Sequence, residues 1–98
     1  MPGLRFEWDS GKAVENERKH GISFDEAKSI FADEFGVLID DPDHSSAEER
    51  FLLLGGSAKL HTLVVSHCYR NDGEVIRIIS ARKATRKERN LYNQRWRR

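Results

Sequence analysis

The spacing of apolar residues predicts two helices in the first third of the chain. The first is capped by residue 9 or 10 and ends near His20, because Gly21 readily adopts the left-handed conformation that closes helices. The second starts at a capping box over residues 23–26 and continues to about Phe35. Its apolar residues recur at helical spacing at Phe24, Ala27, Ile30 and Phe31.

The pattern then changes to the alternation that is typical of strands. Strands are predicted over residues 6–8, 37–39, 50–54, 62–69 and 75–81. Asn71-Asp72-Gly73 predicts a hairpin turn between the last two strands, and a second capping box, over residues 85–88, opens a helix to about Trp96. The order β-α-α-β-β-β-β-α predicts an α+β fold, with a mostly antiparallel sheet, two N-terminal helices and one C-terminal helix. At 98 residues the chain is interpreted as one domain over 1–98.

The formal net charge of +1 conceals a strong separation of charge along the chain. Residues 25–49 hold nine acidic side chains and one basic one, whereas residues 82–98 hold eight basic side chains and one acidic one. A basic C-terminal segment of this kind favours a polyanionic partner such as a nucleic acid. The last part, residues 95–98, is expected to be a disordered basic tail.

Cysteine usage and hydropathy exclude several classes of protein. The single cysteine, Cys68, rules out an internal disulfide, and we interpret it as a small buried residue in a reducing compartment. No His-x-x-x-His or Cys-x-x-Cys spacing is present, so neither a metal site nor a cofactor is predicted. The acidic run over residues 40–49 is interpreted as a solvated loop. Without a signal peptide or an apolar run of about 18 residues, the chain is expected to be cytoplasmic, with no membrane contact.

Arg77 lies among aliphatic residues in the last strand, where a charge needs a partner or an exit to solvent. Strand alternation places Arg77 on one face with Val75 and Ile79, but its position relative to His67 depends on an unknown register. Arg77 pairs with Glu49 or Glu74, extends its guanidinium to solvent along the sheet, or binds a phosphate with that planar group. Arg82, at the end of the same strand, has a similar choice.

The four histidines and Glu49 are the candidate proton-transfer groups. His20 lies at a helix end, where the helix dipole favours a cation, and His67 lies in the middle of a strand, where a structural histidine is the commoner outcome. His44 and His61 fall in predicted turns and are expected to be solvated. Glu49 begins a strand and is a candidate general base, or a group that orients Arg77.

The basic helix is a candidate RNA-binding element. Its cations are interleaved with Tyr92 and Trp96, whose rings suit stacking on unpaired bases, although a solvated helix face is the usual alternative. A small ribonuclease needs no metal, because the 2′-hydroxyl of RNA is itself the nucleophile. The protein must remove its proton, neutralise the phosphorane and protonate the 5′ oxygen.

Several motifs, in this order and spacing, resemble those of the BrnT toxins over about residues 6–92. They are Phe6-Glu7-Trp8-Asp9, Lys19-His20-Gly21-Ile22-Ser23-Phe24, Asp41-Pro42-Asp43-His44-Ser45 with Glu48-Glu49-Arg50, and Arg77-Ile78-Ile79-Ser80-Ala81-Arg82-Lys83-Ala84-Thr85 running into Arg86-Lys87-Glu88-Arg89 and Tyr92. The resemblance implies a RelE-like fold and a ribonuclease toxin of a type II toxin–antitoxin operon that inhibits translation and growth by cleaving RNA. It also implies a BrnA-like ribbon-helix-helix antitoxin, whose complex with the toxin binds its own operator DNA.

The resemblance carries catalytic roles to six positions: Lys19, His20, Glu49, Arg50, Arg77 and Arg82. The arginines would hold and neutralise phosphate, and His20 or Glu49 would move protons. Lys83, Arg86, Arg89 and Tyr92 are the candidate RNA-binding residues, and His67 is a possible addition on local chemistry alone. The alternatives are a non-catalytic nucleic-acid-binding co-repressor and a structural partner protein.

Overall fold

A computed structural model describes residues 4–40 and 49–96, which form one five-stranded sheet and three helices. In chain order the elements are β1 (Arg5–Glu7), α1 (Ser10–His20), α2 (Phe24–Ser29), β2 (Val37–Asp40), β3 (Phe51–Gly56), β4 (Thr62–Arg70), β5 (Val75–Lys83) and α3 (Arg86–Trp96). The predicted order of helices and strands is confirmed. Short 3₁₀ turns are added at Ile30–Ala32 and Asn71–Gly73, so α2 is shorter than predicted.

The strands lie side by side in the order β1-β5-β4-β3-β2. Three neighbouring pairs are antiparallel, but β1 runs parallel to β5, with Glu7 opposite Arg77. The prediction of a mostly antiparallel, RelE-like sheet is therefore corrected to a mixed sheet. Sequence alternation could not give this pairing, because the first strand pairs with a strand about 70 residues further along the chain.

The two faces of the sheet are covered by different helices. On the first face, α1 and α2 pack over the main core, which contains Ile22, Phe24, Ala27, Ile30, Leu63, Val65, Ile78 and Ala81. On the second face, α3 brings Tyr92 against a smaller cluster of Leu54, Val64 and Ala84. Burial of Cys68, at 1% exposure, is as predicted.

The predicted helix starts are confirmed, with one correction. Asp9 caps α1 by accepting from the Lys12 amide at 2.9 Å. Ser23 accepts from the Glu26 amide at 3.0 Å, but the Glu26 carboxylate is used elsewhere, so only half of this capping box forms.

The end of α1 and the start of α3 form as the sequence predicts. Gly21 closes α1 with φ of 72°, in the left-handed region. The capping box at α3 is complete, since the Glu88 amide donates to Thr85 Oγ1 at 3.2 Å and the Thr85 amide donates to Glu88 Oε1 at 2.8 Å. Helix α3 includes Arg95 and Trp96 of the expected tail, and residues 97–98 lie outside the described part.

A buried amide fixes α1 beside β5. Asn16 Nδ2 donates to the carbonyls of Ile22 and Ala81, at 3.0 and 2.9 Å, and Asn16 Oδ1 accepts from the Ala81 amide at 3.0 Å. Strand β1 pairs with β5 only as far as Arg77. Asn16 therefore supplies the hydrogen bonds to β5 further along, at Ala81. Over residues 4–40 and 49–96, no helix has the length and apolar character needed to cross a membrane.

Candidate functional site

A β-bulge places Arg77 and Arg82 on the same face of the sheet. Arg77 lies opposite Cys68 and Arg82 opposite Val64, and side chains directly opposite each other in neighbouring strands point the same way. Strict alternation would separate residues 77 and 82, which are an odd number apart. The register shift at Ser66/His67 adds one residue to β5 and restores them to one face.

The predicted alternation of β5 is therefore wrong beyond the bulge. Ser80 lies opposite Ser66, on the face of Arg77 and Arg82, whereas Ile78 and Ala81 both enter the core. From the strand rise, the β4 residues opposite the two arginines are about 13 Å apart. The second face of β5 thus presents two cations with a serine between them.

The partner of Arg77 is a carboxylate that sequence reasoning did not consider. Arg77 Nη1 donates to Glu7 Oε2 at 2.8 Å, because parallel pairing sets these residues side by side. The predicted alternatives are corrected: Glu74 lies 4.0 Å from Arg5, and Glu49 precedes β3, two strands away. The hydrogen bond from Arg77 to Glu7 raises the pKa of the arginine, and the side chain remains half-exposed.

Arg82 joins the sheet to α3. Its two terminal nitrogens donate to both oxygens of Glu88, at 2.8 and 3.1 Å. This bidentate hydrogen bonding is the main reason why the pKa of Glu88 falls to about 2. Arg82 Nη1 also donates to the Lys83 carbonyl at 3.3 Å. The guanidinium is therefore oriented by α3 while its side chain is 40% exposed.

Lys19 and His20 face the same part of β5 from α1. They line a groove of about 200 Å³ together with Ile79 and Ser80, the residues at the bulge. The Asn16 side chain, which fixes α1 to β5, also lines this groove. Arg77 and Arg82 do not line this groove, but they flank Ser80, which does. We call the groove and the two arginines together the β5 site.

Glu49 and Arg50 are not brought into the β5 site. They precede Phe51 at the start of β3, and β4 separates β3 from β5. Glu49 is exposed and Arg50 is half-buried. Alternation from Phe51, which lies opposite His67, puts Arg50 on the face of Arg77, with β4 between them.

His67 lies in the core, on the opposite face from the arginines. The side chain is fully buried, with its ring 4.9 Å from that of Phe31. His67 Nδ1 lies 3.2 Å from the Val65 carbonyl, Nε2 lies 3.3 Å from the Tyr69 hydroxyl, and burial lowers the pKa of the imidazole. His67 therefore packs in the core, on the face of the sheet opposite Arg77 and Arg82.

Helix α3 presents its cations to solvent and holds Tyr92 against the sheet. Arg86 and Arg89 are exposed, as is Lys83 at the end of β5, and Arg89 Nη1 donates to the Ala84 carbonyl at 3.2 Å. The Tyr92 hydroxyl donates to Asp33 Oδ2. Burial, together with this bond, raises the pKa of Tyr92 to about 12. Tyr92 is thus fixed by the fold, and the expected base-stacking role applies at most to the exposed part of its ring.

Sequence reasoning missed three features around these residues. Glu7 and Ser80 are isolated polar residues in strands, and only register reveals their neighbours. His61, expected to be solvated, instead has Nδ1 2.7 Å from Glu26 Oε2. Within the described residues, no group of three or more histidine, cysteine or acidic side chains is placed to hold a metal ion.

The fold and site together define a small α+β protein with two cations on one face of β5 and a basic helix. A solved structure has the same fold: the ribonuclease toxin BrnT of Brucella abortus aligns with 86% of this chain and 100% of its own, with a TM-score of 0.62 and 22% sequence identity. Among curated proteins, the comparison finds no match.

The sequence itself gives the family. The profile of the family described as "Ribonuclease toxin, BrnT, of type II toxin-antitoxin system" matches residues 8–88. This chain belongs to the BrnT toxin family, as its motifs predicted. The family is one of ribonuclease toxins of type II toxin–antitoxin systems, which implies an RNA target and an antitoxin partner.

Proposed function

We propose that this chain is an endoribonuclease that cleaves RNA at the β5 site without a metal ion. The observation that supports this most is the β5 bulge, which puts Arg77 and Arg82 on one face with Ser80 between them. Ser80 also lines the groove that contains Lys19 and His20. Arginine binds phosphate oxygens through paired, charge-assisted hydrogen bonds. Two guanidiniums on one face can therefore hold successive phosphates of a single strand or stabilise one phosphorane.

The chemistry that fits these groups is transfer of the phosphoryl group within the RNA. The 2′-oxygen loses its proton to a base and forms a bond to phosphorus, the bond from phosphorus to the 5′-oxygen breaks, and that oxygen accepts a proton. The products are a 2′,3′-cyclic phosphate and a 5′-hydroxyl. Cations that stabilise the extra negative charge in the transition state lower the barrier.

His20 is the proposed proton-transfer group of this site. It lines the groove beside Ser80, whereas Glu49 lies before β3 on the far side of β4. The adjacent Lys19 adds a positive charge at the same groove. Glu49 and Arg50 are proposed to act on a more distant part of the RNA, on the face that Arg50 shares with Arg77.

RNA beyond the cleaved bond is proposed to follow α3. Three exposed cations follow Arg82: Lys83 at the end of β5, and Arg86 and Arg89 near the start of α3. They would contact phosphates and contribute affinity that falls with salt.

The physiological setting is proposed from the family. RNA cleavage would inhibit translation and growth, and the partner would be a BrnA-like ribbon-helix-helix antitoxin that neutralises the toxin. The complex would bind its own operator DNA. Residues 1–98 would act as one toxin domain in the cytoplasm.

Inducible expression in a bacterial host tests this function. We expect wild type to arrest growth and degrade RNA, and Arg77→Ala and Arg82→Ala to lose both effects at equal protein levels. The matched control is Arg5→Ala, an exposed strand arginine that also faces a glutamate but lies outside the β5 site. Growth arrest with intact RNA would contradict the proposal, and so would equal loss in the control. RNA binding without cleavage would favour the co-repressor alternative.

A further inference from the structure

A second cleft lies at the end of the sheet where β3 turns into β4. Its volume is about 670 Å³, and its walls come from the segment after α2, the β3–β4 turn and α3. The groups used below are Ser57, Leu60, His61, Thr62, Tyr92 and Asn93. A cleft of this size accommodates a nucleoside. It shares no lining residue with the groove of the β5 site.

A buried carboxylate orients the histidine of this cleft. Glu26 has a side chain only 3% exposed, and its Oε2 lies 2.7 Å from both Ser57 Oγ and His61 Nδ1. Burial alone would raise the pKa of Glu26, but these hydrogen bonds outweigh it and the pKa is lowered. Since an ionised carboxylate only accepts, His61 Nδ1 is the donor. His61 Nε2 is then the remaining hydrogen-bonding atom of a ring that is 40% exposed.

Hydrogen bonds to Asp33 fix other parts of the wall of this cleft. Asp33 accepts from the Gly56 amide at 2.7 Å, from the Phe35 amide at 3.0 Å and from the Tyr92 hydroxyl. At the rim, Leu60 is 95% exposed and has φ of 64°, an uncommon conformation for a residue other than glycine. The cleft therefore combines a fixed polar group with an apolar side chain presented to solvent.

We propose that this cleft binds an unpaired nucleobase of the RNA, next to the strand held on α3; the proposal rests on the proposed function. His61 Nε2, in a ring held by the contact of Nδ1 with Glu26, and the Asn93 side-chain amide offer polar groups to the edge of an unpaired base. The Leu60 side chain offers an apolar surface for the flat ring. A fixed imidazole in a nucleoside-sized cleft suits a base better than an extended peptide.

The position of the cleft agrees with this ligand. The Ala84 amide donates to the Thr62 carbonyl at 2.9 Å, so the residue next to His61 is fixed to the start of the basic segment. Arg89 and Asn93 are four residues apart in α3 and lie on neighbouring positions of its surface. RNA phosphates near Arg89 would bring a base to the mouth of the cleft. We therefore expect the cleft to select a base in the RNA that follows α3, beyond the cleaved bond.

Nuclear magnetic resonance titration with nucleoside 5′-monophosphates tests the proposal, with ribose 5-phosphate as the probe that lacks a base. In wild type, at least one of the four nucleotides should shift the amide signals of residues 57–62 and 93 saturably. Its binding should be at least five-fold tighter than that of ribose 5-phosphate. His61→Gln, which keeps a donor toward Glu26, and Asn93→Ala should each lose that preference, whereas Arg5→Ala, outside both sites, should retain it.

Equal binding of ribose 5-phosphate, or shifts confined to the cations of α3, would overturn the proposal. Shifts at residues 57–62 that appear only with an antitoxin segment would overturn it as well, and would assign the cleft to the protein partner. This binding requires no cleavage, so nucleotide binding by a wild type that leaves RNA intact would contradict only the proposed function. Conversely, active protein that fails to bind any base would contradict only this inference.

Discussion

Glu88→Gln isolates the contribution of one charge to the junction between β5 and α3. Glu88 accepts from both terminal nitrogens of Arg82 and from the Thr85 amide at the start of α3. Glutamine has nearly the same shape and keeps a carbonyl acceptor for that amide. The substitution therefore removes the charge while leaving most of the helix cap in place.

The magnitude follows from the pKa of Glu88. A fall from 4.5 to about 2 corresponds to at most about 3 kcal/mol, at 1.36 kcal/mol per pKa unit. Arg82 is 40% exposed, so solvent screening reduces this value toward the roughly 0.2–1 kcal/mol of exposed pairs. We expect Glu88→Gln to lower the free energy of unfolding at pH 7 by about 1–2 kcal/mol. For a domain of this size, that lowers Tm by about 4–16 °C.

The pH dependence gives a second test. Because the folded-state pKa is lowered, the stabilisation by Glu88 is complete above about pH 4.5 and is lost as the pH falls toward 2. Urea unfolding of wild type and Glu88→Gln should therefore differ at pH 7 and converge near pH 2. Glu15→Gln, in an exposed ion pair with Arg18, is the matched control and should cost less than about 0.5 kcal/mol. A difference between wild type and Glu88→Gln that is absent at pH 7, or that persists unchanged at pH 2, would refute this reasoning.

Three further substitutions test other parts of the structure. Asn16→Ala removes three buried hydrogen bonds, two of them to Ala81, and should lower the free energy of unfolding, measured in urea, by about 2–3 kcal/mol. A loss below about 0.5 kcal/mol would contradict the role of Asn16 in fixing α1 to β5. Tyr92→Phe should lower the free energy of unfolding by about 1 kcal/mol. In ultraviolet titration of wild type, the Tyr92 phenol should ionise near pH 12, and ionisation near pH 10 would contradict its burial and its hydrogen bond to Asp33. Gly21→Ala should cost about 1 kcal/mol in thermal unfolding, and unchanged stability would mean that the positive φ is not required.

Local signals in the sequence predicted the elements well. The caps at Asp9, Ser23 and Thr85 and the glycine at Gly21 act within a few residues, so their chemistry is visible in the chain itself. The same locality explains the confirmed start of α3. The predicted return hydrogen bond between Glu26 and Ser23 was wrong because of a long-range contact. The Glu26 side chain bonds instead to His61, 35 residues away.

The site depended on register, which alternation cannot give. The β5 bulge moves Ser80 and Arg82 to the face opposite the one that alternation predicts. An isoleucine at position 79 gives no sign of a bulge. The parallel pairing that brings Glu7 to Arg77 spans 70 residues. The basic helix and strand-end arginines were therefore found as candidates, whereas the placement of Ser80 between Arg77 and Arg82, and beside Lys19, required the structure.

The most direct test of the central claim is cleavage of a 5′-labelled single-stranded RNA by purified protein in EDTA, with and without translating ribosomes. We predict fragments that end in 2′,3′-cyclic phosphate for wild type and for Arg5→Ala. Arg77→Ala and Arg82→Ala should cleave at least a hundred-fold more slowly, about 2.7 kcal/mol in the activation barrier. RNA left intact by wild type under both conditions, or equal cleavage by Arg82→Ala, would contradict the assignment of the β5 site.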